Sequence, residues 1–274
     1  MRKVIDANSL QSERLKKYLN KNTKNMAVLT DYAAMEAYKG STLKSIFKSM
    51  QILTKYPDQV IILKGTQTVC DLNGKGKGLQ KRLIDEKQTK EFEKYYLNLK
   101  VAEGGNSKFE KMLLNHGVAA NGHMDNILKD SEKIIISMRN IAKGYTKSEL
   151  KMLRKGESFT DEMIDKIITG IIYLAAFMFV DHPKYNKLPN YNELPNKFIF
   201  RYSLAMYLLG INWIADGGLN NLKPEKMRND MVDMNYVAYA TYFDGLMSND
   251  NKAMQIYSVA MDFLNYFNKH NNEN

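Results

Sequence analysis

Cysteine occurs once in this chain, at Cys70, so no intramolecular disulfide can form and no cysteine-rich zinc site can be assembled. A single thiol fits a reducing cytosol, and no Cys-His arrangement surrounds it to make it a nucleophile. Histidine is also scarce, with four residues. Of these, His116 and His123 sit in Gly- and Asn-flanked loops without acidic partners and read as polar surface. No apolar run reaches the roughly 20 residues that span a bilayer. The longest such window, Ile167 to Val180, is about 14 residues and contains Thr169 and Gly170, so a buried helix is expected there. The first six residues, Met1-Arg2-Lys3-Val4-Ile5-Asp6, place an acid where a secretory signal needs apolar residues. A cytoplasmic protein without a membrane segment is the expectation.

What is present is an ordinary folded composition, 44 % hydrophobic and 26 % charged, which excludes disorder as the dominant state. Lys and Arg number 40 against 30 Asp and Glu, a net charge of +10. A polyanionic partner is therefore favoured. The abundant Tyr and Met residues recur among apolar neighbours at helical spacing and read as packing material.

Residues 1–66 alternate between short β-rich runs and helical segments. Val4-Ile5, Met26 to Thr30 and Val60 to Leu63 read as buried strands, with helices over Ser12 to Leu19 and Tyr32 to Leu53. Such alternation predicts a parallel α/β sheet. From 67 to 197 the patterns are mainly helical. Thr146-Lys147-Ser148-Glu149 has capping-box spacing and opens a helix stopped near Gly156; Thr160 opens the next. Pro183, Pro189 and Pro195 then mark a linker-like stretch. Residues 198–268 return to α/β character, with helices over Phe198 to Leu209 and Arg228 to Phe243 and a short strand at Gly245 to Ser248; 269–274 read as a polar, frayed tail. Asp244, before Gly245, reads as a turn residue.

Acids recur where strands end. Asp6 follows the first strand, Glu36 lies one turn into the helix after the second, Asp230 and Asp233 are three residues apart near a helix start, and Asp250 follows the last strand. In an open parallel sheet these strand ends are where ligands bind. Gathering carboxylates is costly unless a cation neutralises them, and an oxygen-only donor set selects a hard ion, Mg²⁺ or Mn²⁺. Such sites suit phosphodiester hydrolysis, one ion activating water and a second, about 3.5–4 Å away, stabilising the leaving oxygen.

The order Asp6-x-Asn8 after a strand, Thr30-(x)5-Glu36 after the next, Asp233-(x)3-Val237-Ala238-x-Ala240, and Ser248-x-Asp250 resembles the PIN domain family of metal-dependent nucleases over residues 1–66 and 198–264. That resemblance implies a parallel sheet flanked by helices and an acidic Mg²⁺ or Mn²⁺ pocket built from Asp6, Glu36, Asp233 and Asp250, with Asp230 as an additional acid. Asn8, Thr30 and Ser248 fall at the supporting polar positions. It also implies an endoribonuclease, in a toxin or anti-phage setting; the stretch 67–197, read as a large helical insertion, is where the chain departs from the family's compact members. A flap-type DNA nuclease and a non-catalytic nucleic-acid-binding module remain alternatives. A homodimer and a regulatory protein partner also stay open.

The run Asn73-Gly74-Lys75-Gly76-Lys77-Gly78 lacks the spacing of a nucleotide-binding P-loop. It reads as a solvated basic loop in which Lys75, Lys77, Lys81 and Arg82 are candidates to hold nucleic-acid phosphates. Lys147 and Lys151, among lysines spaced by four, are further candidates for a backbone-binding stripe, and a solvated helix face explains them equally well.

Overall fold

The structure is a computed structural model that describes residues 1–39, 42–108, 131–217 and 223–271, with 110, 111, 114, 115, 118 and 122 between them. His116 and His123 lie outside the described residues. The first half runs β1 (Arg2–Ile5), α1 (Glu13–Lys21), β2 (Met26–Leu29), α2 (Asp31–Lys39), α3 (Leu43–Met50), β3 (Val60–Ile62), α4 (Thr66–Cys70), α5 (Leu79–Leu83), α6 (Glu86–Lys90) and α7 (Phe92–Glu103). The second runs α8 (Ser131–Ala142), α9 (Lys147–Lys155), α10 (Asp161–Asp181), α11 (Phe198–Ala215), α12 (Pro224–Ala240), β4 (Leu246–Met247) and α13 (Asn251–Asn271).

The four strands form one parallel sheet in the order β3-β2-β1-β4, the α/β class expected. Successive residues of each strand feed opposite cores, as the period of two requires. Val4, Val28, Ile61 and Leu246 face a large cluster built with α10, α11, α12 and α13. Ile5, Ala27, Leu29, Val60 and Met247 face a smaller one built with α1, α3 and α7. Because both faces are covered, the strands read as continuous apolar runs. The register pairs Val4 with Val28 and with Leu246, and Ile5 with Met247. Chain order reverses at β1, with β2 on one side and β4 on the other, and such a switch point is where open α/β sheets place their ligands, beyond the carboxyl ends of the strands.

Several helices start where capping chemistry places them. Ser12 accepts from Leu15 N at 3.1 Å at the head of α1. Thr146 and Glu149 form a reciprocal capping box at 3.2 and 2.6 Å, and α9 ends at Gly156 in the left-handed conformation. The Lys166 ammonium, 2.7 Å from Glu149, holds that carboxyl below its ordinary pKa.

Four expectations are corrected. The single helix over Tyr32 to Leu53 is two helices, because Thr42 caps α3 by accepting from Ser45 N at 3.1 Å and starts a new helix after Gly40. The helix expected to begin at Arg228 begins at Pro224, a residue suited to the first helical turn. The last helix continues to Asn271, beyond the expected start of the tail. The proline stretch before α11 packs rather than linking freely: Leu194 and Pro195 are buried, Asn196 donates to Gly74 O and Lys197 to Leu72 O.

Helix α10 is also longer and less buried than the window Ile167 to Val180 indicated. It buries one stripe, Met163, Ile167, Ile171, Ala175 and Phe179, against the rest of the core, while Tyr173, Phe177 and Val180 stand exposed. Spacing of four along that stripe is a ridge suited to packing into the neighbouring helix. Among the described residues α10 and α11 are long and apolar enough to cross a membrane by length and composition; α11 is a core helix, with 89 % of its apolar window buried.

The α10–α11 contact is tight at Gly170, where an added Cβ would lie 2.2 Å from Tyr207 Cζ. Tyr207 is itself buried and its hydroxyl faces that of Tyr145 at 3.4 Å. Gly170→Ala should therefore lower stability by about 1–3 kcal/mol through overpacking, although Ala is favoured over Gly in an unencumbered helix. Chemical denaturation checks this; a stabilised variant would contradict the packing described.

Candidate functional site

Asp6 follows β1 and is 1 % exposed. Its Oδ1 accepts from Asn8 N at 3.3 Å, and its Oδ2 accepts from Asn8 Nδ2 at 3.5 Å and from Ser248 Oγ at 2.5 Å. Burial pushes the Asp6 carboxyl above its ordinary pKa, the Ser248 and Asn8 bonds oppose this, and nearby Asp250 adds to the rise. Ser248 follows β4 and joins the two strand ends: while donating to Asp6 it accepts from Asp250 N at 2.9 Å. Asp250 in turn opens α13, its Oδ1 accepting from Ala253 N at 2.9 Å. A cap that leaves the second carboxylate oxygen uninvolved can serve a ligand as well.

Glu36 projects from α2 towards α12, where Tyr236 donates to its Oε2 at 2.5 Å. The Tyr236 phenol is buried, and burial with the Glu36 charge raises its pKa far above the ordinary value. It therefore stays a proton donor and fixes the Glu36 carboxylate. Thr30 is buried and accepts from Ala33 N at 3.2 Å, which caps α2 and sets the direction in which Glu36 leaves it. Asp31 points elsewhere, accepting from Thr66 N and Oγ1 at 2.6 and 2.8 Å, and so ties β2 to α4.

Asp233 is the focus of the group. Its carboxyl is pushed up to about 8 by burial and then by the charges of Asp6, Asp250, Glu36 and Asp230. The other four sequence-identified acids thus all act on this one position. Asp230 has a different character from the rest. Its Oδ2 accepts from Trp213 Nε1 at 2.8 Å and from Lys252 Nζ at 2.7 Å, which neutralises it within the protein. Such a paired carboxylate is a positioning group, joining α11, α12 and α13 beside the centre.

Four contributors escaped the sequence reading: Tyr236, Trp213, Lys252 and Arg14, whose Nη1 donates to Ser248 O at 3.3 Å. Only Lys252 carried a local signal, as a cation two residues past Asp250. The basic candidates lie elsewhere. Lys81 lines a cavity shared with Arg2 at the start of β1, the opposite end of the strand from Asp6. Arg82 is a clasp, its guanidinium donating to Lys77 O at 2.5 Å and to Lys75 O, so the Gly/Lys loop is held against the body rather than freely solvated. Lys75, Lys77, Lys147 and Lys151 are exposed. Burial pushes the Cys70 thiol up to about 12, which keeps it unreactive.

Among the described residues no group of three or more His, Cys, Asp or Glu side chains is arranged to hold a metal ion as it stands. The donor chemistry nonetheless fits a hard divalent cation. Asp6, Glu36, Asp233 and Asp250 offer only oxygens, and the high pKa of Asp233 reports negative charge that the protein itself does not compensate. No protein-family model matches the chain, and no curated protein and no solved structure matches it either.

A pH dependence follows. Asp233 has an ordinary pKa of 3.8 and titrates at about 8 in the folded chain, so the fold binds the proton more tightly than the unfolded state does. Its contribution to stability is full below about pH 4 and is lost as pH rises through about 8. In EDTA the thermal midpoint should fall between pH 5 and 9, and Asp233→Asn should flatten that fall. An identical slope in the variant would contradict the electrostatic account.

Proposed function

We propose that the chain is a Mg²⁺- or Mn²⁺-dependent nuclease of the PIN type that hydrolyses phosphodiester bonds, with RNA as the favoured substrate. The observation that carries this reading is the convergence of Asp6, Glu36 and Asp250 on Asp233, at the ends of β1 and β4 where the sheet reverses its order. Asp6, Glu36, Asp233 and Asp250 would hold the cation, with Ser248, Asn8 and Thr30 fixing the acids that they touch or precede. When bound, a divalent ion supplies charge stabilisation and a nucleophile at neutral pH.

The chain's own groups do the remaining work. Ser248 keeps Asp6 and the backbone of Asp250 in one hydrogen-bonded unit. Tyr236 holds Glu36, and Lys252 with Trp213 holds Asp230, so each of these acids is tied by a hydrogen bond beside Asp233. A cluster strained in this way gains most from a cation. The net charge of +10 supports a polyanionic substrate, which the basic exterior attracts even though the centre is acidic. A toxin or phage-defence role belongs to the same proposal and rests on the family resemblance.

The test is cleavage of transfer RNA, single-stranded RNA, single-stranded DNA and flap DNA in Mn²⁺, Mg²⁺ or EDTA. RNA should be cut in a metal-dependent manner. Asp6→Asn keeps the shape and one accepting oxygen, enough for either the Asn8 amide or the Ser248 hydroxyl but not both; checked for folding by circular dichroism, it should lose activity by more than about a hundredfold, since even outer partners of metal ligands cost roughly 10–100-fold. Equal turnover by wild type and Asp6→Asn would sink the assignment, and exclusive cutting of flap DNA would move it to the alternative nuclease class.

A further inference from the structure

At the other end of the sheet lies a cavity of about 640 Å³, lined by Arg2, Lys81 and Arg201 with Gly76, Gly78 and Tyr242 among its walls and no acidic residue. It is broadly open to solvent, with room for a ligand to enter and be held on one side. Arg201 forms its floor. It is 8 % exposed, yet no carboxylate pairs with it among the described residues. Its Nε donates to Pro195 O at 2.7 Å, its Nη1 to Thr241 O and Oγ1 at 2.6 and 3.0 Å, and its guanidinium stacks on the Tyr242 ring at 3.7 Å. These contacts fix the plane and leave Nη2, with two N–H donors, without a protein acceptor among the described residues. A buried, unpaired charge is costly, and an arginine held flat with its outer edge in a cavity is preorganised for bidentate recognition of an anion.

Two further cations stand over it. Arg2 lies over the Phe243 ring with its guanidinium 5.9 Å from the centroid and makes no ion pair among the described residues; Asp244 accepts from the Arg2 backbone N–H at 2.7 Å. Lys81 is exposed and forms a long, solvent-exposed ion pair with Glu86 at 3.9 Å, weak enough to exchange for a ligand. The cavity wall at Gly76 and Gly78 is anchored from outside by Arg82, which binds the carbonyls of Lys75 and Lys77. A cationic depression open to solvent, with one buried member, suits a compact oxyanion carrying two charges.

We propose that this cavity binds a phosphoryl group, with Arg201 receiving it from the floor and Arg2 and Lys81 closing from the rim. It is distinct from the acidic centre. Arg201 and Trp213, which touches Asp230, are on one helix and separated by about 18 Å at 1.5 Å per residue. The proposal does not rest on the nuclease reading, and each can fail alone.

The test is calorimetric titration in EDTA, which keeps divalent ions from the acidic centre, with inorganic phosphate, adenosine 5′-monophosphate and a single-stranded RNA dodecamer, at ionic strength matched with sodium chloride. Wild type should bind phosphate or the nucleotide saturably, with a Kd of roughly 1 mM or tighter, and Arg2→Gln/Lys81→Gln should weaken it at least about tenfold. These residues are outside the core, so the variant should fold. Arg201→Lys, checked for folding by circular dichroism, should weaken it similarly by losing the planar fork. If only the RNA binds and responds to these substitutions, the phosphoryl group is supplied by a polynucleotide and the site stands. If no probe binds in a manner that Arg2→Gln/Lys81→Gln alters, the proposal is overturned.

Discussion

Repulsion among carboxylates at the ends of β1 and β4 is the constraint on which much of the second half of the molecule depends. Asp6, Glu36 and Asp250 all raise the pKa of Asp233, and each would move outward if its side chain were free. None is. Ser248 binds Asp6, Tyr236 binds Glu36, and the amide of Ala253 binds Asp250. Each partner comes from an element whose placement depends on the sheet or on α12, so the electrostatic cost at the centre is carried by the packing of the whole.

That packing is unusually concentrated in two helices. Nearly every residue of α11 is buried, including Arg201 and Ser203, and α12 buries Asp230 and Asn235 among its apolar residues. The two helices touch one another and α12 also touches β1 and β4. Their rigidity has a consequence at both ends of the sheet. At one end Trp213 and Lys252 clamp Asp230 beside the acids. At the other, Arg201 is fixed by Pro195, Thr241 and Tyr242 under a cationic cavity. The same scaffold thus concentrates negative potential where β1 ends and positive potential where it begins, in a chain whose net charge is positive.

The strands were readable from sequence because a parallel sheet covered on both faces needs uninterrupted apolar runs; Val4-Ile5 and Val60 to Ile62 could hardly be anything else. The caps at Thr146 and Thr160 are readable because capping is local, as is the position of each acid relative to its strand; the cap at Ser12 emerges only with the structure. The break after α2 escapes the sequence because apolar residues at helical spacing lie on both sides of it, and a Gly-Ser-Thr step is a weaker stop than proline. Helix α10 reads as buried from its composition, which cannot say how many sides of a helix find neighbours. The partners of the acids were invisible for a different reason. Tyr236 lies 200 residues from Glu36, and Ser248 lies 242 from Asp6. No local pattern marks such a pair. For Arg201 the signal is absent altogether, since a lone arginine in an apolar helix reads as an exposed residue until its burial is seen.

The central claim is that the charge gathered around Asp233 is there to receive a divalent cation. Anomalous diffraction at the manganese edge, from crystals grown in EDTA and then soaked in Mn²⁺, tests it most directly. The account predicts a peak bounded by Asp6, Glu36, Asp233 and Asp250, lost in crystals of Asp233→Asn. A fully soaked crystal with no peak among these four carboxylates, or with manganese bound only at other surface acids, would contradict it.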